Sequence, residues 1–127
     1  IWVTSQRHRV HEDPVVPLAV SHAGCAWRDM VLEALDRVNR PYRIAYASPN
    51  SNAINGAVMA GLAVGAIPEI CFRPGLRRLT AQEGYPPLGA FDIGMIRGAH
   101  ATGGAIALAG HIGRSLQSAG APRAAAE

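Results

Sequence analysis

Residues 41–68, PYRIAYASPNSNAINGAVMAGLAVGAIP, constrain the fold more than any other part of this chain. Tyr42, Ile44 and Tyr46 alternate with Arg43, Ala45 and Ala47, the period-two pattern of a half-buried strand. Ser48, Pro49, Asn50, Ser51 and Asn52 follow, and their hydroxyl and amide oxygens suit the unpaired N–H groups of a helix start. Ala53, Ile54, Ala57, Val58 and Ala60 then recur at helical spacing, and Gly61 falls where a left-handed C-terminal residue belongs. A short apolar run over residues 62–67 ends at Pro68. Strand, helix and strand with so little slack form the repeating unit of a parallel α/β sheet.

The rest of the chain fits that unit. Residues 1–4 read as a strand, residues 5–14 as a polar loop and residues 15–20 as a strand, with Pro17 suiting a strand start or an edge. A turn at residues 21–24 leads to a helix over residues 25–39, where Trp27, Met30, Val31, Ala34, Leu35 and Val38 make one apolar stripe. Glu33 and Arg37 sit one turn apart on its polar face. Residues 69–72 read as a short helical or irregular piece, residues 76–79 as a brief strand, residues 84–89 as a turn and residues 91–96 as a last strand. Residues 100–116 read as a helix diluted by Gly103, Gly104, Gly110 and Gly113, each costing about 1 kcal/mol relative to Ala. Leu108, Ile112 and Leu116 are expected to lie exposed on it.

Composition narrows the function classes. The chain has 127 residues, 49% hydrophobic and 17% charged, as for one small globular domain. No apolar run reaches the roughly 20 residues of a membrane span, and Ile1, Trp2 and Val3 run straight into polar and charged residues rather than reading as a signal peptide, so a cytoplasmic location is expected. All twelve basic residues are Arg, and the net charge of +3 is too small and scattered for a nucleic-acid surface. His8, His11, Glu12 and Asp13 read as a solvated loop rather than a metal site, and Cys25 and Cys71 are too far apart in sequence for a metal knuckle. No cofactor and no metal are expected. No nucleophile, base and orienting group stand in register, so enzymatic activity is not expected either.

The run from Ala57 to Pro68, AVMAGLAVGAIP, resembles the stretch "aV.aGLGv.llP" in the effector-binding domain of LysR-type transcriptional regulators. Pro17-Leu18-Ala19-Val20 with Gly24-Cys25-Ala26-Trp27-Arg28 resembles the strand, turn and helix start of that domain. Gly75-Leu76-Arg77-Arg78-Leu79, Pro86-Pro87-Leu88 and Asp92-Ile93-Gly94-Met95 resemble its closing segment, in the same order. Ala63 stands where that family usually has glycine.

The resemblance implies an α/β fold: a Rossmann-like lobe of a type 2 periplasmic-binding-protein-like domain, present as one lobe plus a return strand and helix. Residues 1–95 would form the second lobe with its crossover strands, hinged near Trp2 and Gly94. Residues 96–117 would form the helix belonging to the first lobe, and residues 118–127 a disordered tail. The chain begins without Met and is expected to be the tail of a longer regulator, whose N-terminal domain would contact DNA. This chain itself would touch neither nucleic acid nor membrane. The intact regulator would be a homodimer or tetramer, pairing through the helix at residues 25–39 and the strand at residues 43–47.

In open α/β sheets, ligands lie beyond the carboxyl ends of strands, where helix N-termini offer N–H groups. That places Ser21, His22, Gly24, Cys25 and Trp27 at one turn and Ser48, Asn50 and Ser51 at a second as ligand-binding residues, with simple capping an alternative for the second group. The resemblance implies a small effector, a carboxylate or an aromatic metabolite. Cys25, at a helix start near Arg28, is placed where a thiolate is stabilised. An alternative reading is therefore a cysteine-based, peroxide-sensing module of the same fold, and another is a stand-alone solute-binding protein.

Overall fold

The computed structural model describes residues 1–91 and 94–120. The chain divides into two compact units, one ending at Gly89 and the other beginning at Ala90.

The first unit is built on a five-stranded sheet. Its strands are β1 (Trp2–Ser5), β2 (Val16–Val20), β3 (Tyr42–Ala47), β4 (Val64–Ala66) and β5 (Leu76–Arg78), in the spatial order β3-β2-β4-β1-β5. β3, β2 and β4 run parallel, whereas β1 pairs antiparallel with both β4 and β5. Helix α1 (Ala26–Asp36) connects β2 to β3, and α2 (Ser51–Met59) connects β3 to β4. The sheet separates two cores. Trp2, Val16, Leu18, Val20 and Val64 pack with Val31, Ala34 and Leu35 of α1. Val3, Ala19, Ala63, Ile67 and Leu76 pack with Ile54 and Val58 of α2. The period-two alternation along β1 and β2 assigns each residue to one helix or the other.

Both helices stop in the same way. Asn39 (φ 53°) follows α1 and Gly61 (φ 72°) follows α2. The Arg40 N–H reaches the Leu35 carbonyl and the Leu62 N–H reaches the Ala57 carbonyl, each at 3.0 Å, while Asn39 and Gly61 donate to Asp36 and Val58. These are paired 6→1 and 5→2 bonds around a left-handed residue. Thus α1 ends at Asp36, three residues before the point its apolar stripe suggests, and Val38 is left half-exposed. At Gly61 a side chain would also collide with His8, since a Cβ there would lie 2.2 Å from its ring. At Gly65 a Cβ would lie 2.8 Å from Cγ2 of Val58, so glycine lets α2 approach β4.

Three sequence expectations are corrected, and one pair of alternatives is decided: Pro17 stands at the start of the central strand β2, not at an edge. Val16 donates to Pro41 on the β3 side, so the missing N–H of Pro17 faces β4, whose pairing begins only at Leu18. The face of β3 carrying Ile44 and Tyr46 is not well buried: they are 40% and 42% exposed. β3 is an edge strand, and the register with β2 slips between Leu18 and Ala19, opposing Ile44 and then Tyr46. His11 is not solvated. It sits in a 3-10 turn (Val10–Glu12), 7% exposed, with Nε2 2.7 Å from an Arg77 guanidinium nitrogen. Finally, Phe91 and residues 94–96 form no strand, and Asp92 and Ile93 lie outside the described residues.

The His11 turn is tied to the end of α1 and to the loop after β5. The Arg40 guanidinium and the Tyr85 hydroxyl both donate to the His11 carbonyl, at 2.7 and 2.8 Å. Arg40 also lies 4.6 Å over the Tyr85 ring, and Tyr85 packs on Trp2 with ring centres 5.5 Å apart. Arg77 pairs with Glu83 at 2.7 Å, and Glu83 closes a capping box on Thr80.

The second unit contains α3 (Gly103–Gly120), which starts where the Thr102 hydroxyl accepts from the Ala105 N–H. Despite its four expected interior glycines the helix forms, and it runs past Leu116 to Gly120. Ile106, Leu108, Ile112 and Leu116 are exposed. Residues 121–127, most of the expected disordered tail, lie outside the described residues. Among the described residues, no helix is long and apolar enough to cross a membrane.

Candidate functional site

A cleft of about 260 Å³ opens at the carboxyl ends of β2 and β4, where α1 and α2 begin. Ala19, Val20 and Ser21 form one wall as β2 ends, and Ala66, Ile67 and Pro68 form another as β4 ends. Cys25, Trp27 and Val31 enter from α1 and the turn before it; Ser51, Ile54 and Asn55 enter from α2. Cys71 closes the cleft from the 3-10 turn Glu69–Cys71. The location follows from topology, since parallel strands feeding helices on opposite faces leave a crevice between the two helix starts.

The lining is mostly apolar and carries no charged side chain. Its polar side-chain groups are two hydroxyls, two thiols, one amide and the Trp27 indole N–H. Asn55 is 5% exposed, and its Oδ1 has no hydrogen-bond partner.

Cys25 is the N-cap residue of α1, with extended backbone (φ −88°, ψ 118°), although its thiol makes no regular capping bond. The Arg28 N–H, then the Ser21 hydroxyl and the Trp27 N–H, point toward the sulfur and hold the thiol below its ordinary value of 9.0. Burial and Asp29 oppose that shift more weakly. Cys25 and Cys71 are both free, half-buried thiols lining the same cleft.

Of the eight residues marked in the sequence, Ser21, Cys25, Trp27 and Ser51 line the cleft. His22 and Gly24 are exposed in the turn before α1; Gly24 has φ 81° and the His22 carbonyl accepts from the Cys25 N–H. Ser48 and Asn50 do local work. Asn50 caps α2 by accepting from the Asn52 N–H at 2.9 Å, and Ser48 Oγ accepts from the Asn50 N–H at 3.1 Å. Neither lines the cleft.

Sequence reasoning missed Asn55, and it left open how near Cys71 lies to Cys25. Asn55 could have been found: it lies one turn after Ser51 and beside Ile54, a polar residue on the inward part of α2. Cys71 had no such signal, because its approach to Cys25 depends on how the chain turns after β4. Among the described residues, no group of three His, Cys, Asp or Glu side chains could hold a metal ion.

Residues 1–109 match the family model of the LysR substrate binding domain. Among curated proteins, the chain is similar to the HTH-type transcriptional regulator PecT of Dickeya dadantii (strain 3937), 28% identical over 88 residues. That alignment covers 69% of this chain but 28% of PecT, so the chain spans little more than a quarter of that relative. Among solved structures, the chain resembles the regulatory domain of the HypT M206Q mutant from Salmonella typhimurium, with a TM-score of 0.58 at 19% identity. That superposition covers 94% of this chain and 70% of the other, a likeness of fold.

Proposed function

Because this chain belongs to the family of LysR substrate binding domains, we propose that it senses a small metabolite for a LysR-type transcriptional regulator and catalyses no reaction. The metabolite sits in the cleft between the starts of α1 and α2, against Ser21, Cys25, Trp27 and Ser51. One observation carries this reading: two helix starts and the carboxyl ends of two parallel strands converge on one cleft of ligand size. The helix N–H groups suit a carboxylate, and Trp27 and Ile54 suit an aromatic body.

In the intact regulator, ligand binding shifts the population of conformations and alters how the DNA-binding domain engages its operator. The protein acts as a homodimer or tetramer. The half-exposed edge strand β3, with Ile44 and Tyr46, supports a contact there.

The test is thermal unfolding with a panel of small aliphatic and aromatic carboxylates. An effector raises the melting temperature in a concentration-dependent way. Trp27→Ala and Ser21→Ala weaken its binding without lowering the melting temperature of the free protein by the same amount. A panel hit whose affinity ignores both substitutions places the ligand elsewhere.

A second reading rests on the two thiols. With the Cys25 thiolate favoured and Cys71 in the same cleft, a hydroperoxide could oxidise Cys25 to a sulfenic acid, releasing an alcohol or water. Mass spectrometry after peroxide treatment decides it. Oxidation at Cys25 no faster than at a free thiol of the same solution exposure removes the redox reading and leaves the metabolite reading intact.

A further inference from the structure

The cleft holds a polar group that the fold does not satisfy. Asn55 lies in the middle of α2 (Ser51–Met59), past the first turn, where capping cannot explain an amide. Its neighbours Ile54 and Val58 are buried against the sheet, and an aliphatic side chain would pack there without a polar atom to satisfy. Instead the amide is 5% exposed, lines the cleft, and leaves Oδ1 with no partner. Buried side-chain oxygens almost always accept at least one hydrogen bond. The other buried side-chain atoms without partners among the described residues, on Thr4, His11 and Arg40, do not line this cleft.

We infer that Asn55 reads the ligand, its Oδ1 accepting a hydrogen bond from an O–H or N–H group on the apolar body of that molecule. This rests on the reading of the cleft as the effector site and adds the ligand's chemistry to it. An acceptor oxygen asks for a donor, and a carboxylate facing Oδ1 would be repelled. Size agrees as well: a cavity of roughly 150 Å³ accommodates benzene, so about 260 Å³ accommodates an aromatic ring with substituents. Val20, Trp27, Val31, Ile54 and Ile67 supply the apolar walls.

The test compares phenol with anisole, which keeps the ring and oxygen but lacks the donor. Both are titrated into the ¹⁵N-labelled chain at neutral pH while the indole N–H signal of Trp27 is followed, assigned with Trp27→Phe. Partitioning into an apolar space favours anisole, the more apolar probe. Phenol binding about tenfold more tightly than anisole therefore supports the hydrogen bond, and Asn55→Leu should erase that preference. Equal or weaker binding of phenol by the unaltered chain overturns the inference while leaving the cleft a binding site. Binding of neither probe overturns the inference and the cleft reading together. The two-probe comparison uses the unaltered chain, so it stands even where Asn55→Leu fails to fold.

Discussion

His11 shows how far one residue's chemistry can depart from what its neighbours in sequence suggest. Between Arg9 and Glu12 it looks solvated, yet it is buried with Nε2 against Arg77. Burial first, and Arg77 second, lower its pKa from the ordinary 6.5; Glu12 and Glu83 oppose this and Arg9 adds to it. The unfolded chain therefore binds the His11 proton more readily than the folded one. The resulting stability is fully present above about pH 6.5 and is lost as pH falls from there through the depressed folded value. Urea titrations at pH 7.5 and 5.5 should show lower stability at the acidic value, with a smaller difference in His11→Gln. Glu12 and Glu83, held below their ordinary 4.5, titrate in a more acidic window and do not blur the comparison. Cys25 gives the second prediction at this scale. Its alkylation by iodoacetamide should reach half-maximal rate below the ordinary thiol value, and Ser21→Ala should move that midpoint upward by removing one hydrogen bond to the sulfur. An unchanged midpoint would mean the Ser21 hydroxyl does not stabilise the thiolate.

Among the elements, helices were the most legible, because their signals are local. The stripe in α1, the Asn50 cap of α2 and the Gly61 stop are all properties of adjacent residues. The early end of α1 was less so, since the apolar Val38 continues the stripe while Asn39 turns left-handed to let Arg40 cap Leu35. Strand environment was legible only in part. Tyr42, Ile44 and Tyr46 announce β3, but not that it would be an edge with a register slip. The contact between α2 and β4 yields a sharp test. Gly65→Ala should destabilise the protein by about 1–3 kcal/mol through crowding against Val58. Val58→Ala removes the methyl that is struck, so the double substitution should cost less than the sum of the two singles. Additive costs in chemical denaturation would show that the crowding is relieved elsewhere.

At the scale of the molecule, the exposed edge of β3 bears on assembly. If the proposed oligomer forms there, Ile44→Lys should weaken self-association at least about tenfold in sedimentation equilibrium, because a charge is desolvated on the edge. The monomer's circular dichroism should be unchanged, since Ile44 is 40% exposed. Association indifferent to Ile44→Lys would place the interface elsewhere. What the residues alone determined was the strands and helices from residue 1 to residue 79 and the two turns bearing Ser21, Cys25 and Ser51, because periodicity, capping and glycine conformation act over a few neighbours. What only the tertiary structure decided was the company those residues keep: the antiparallel β1 between β4 and β5, the burial of His11 beside Arg77, and the meeting of Cys25, Asn55 and Cys71 around one cleft. Such contacts join positions tens of residues apart, and only the order in which the strands pack brings them within reach of each other.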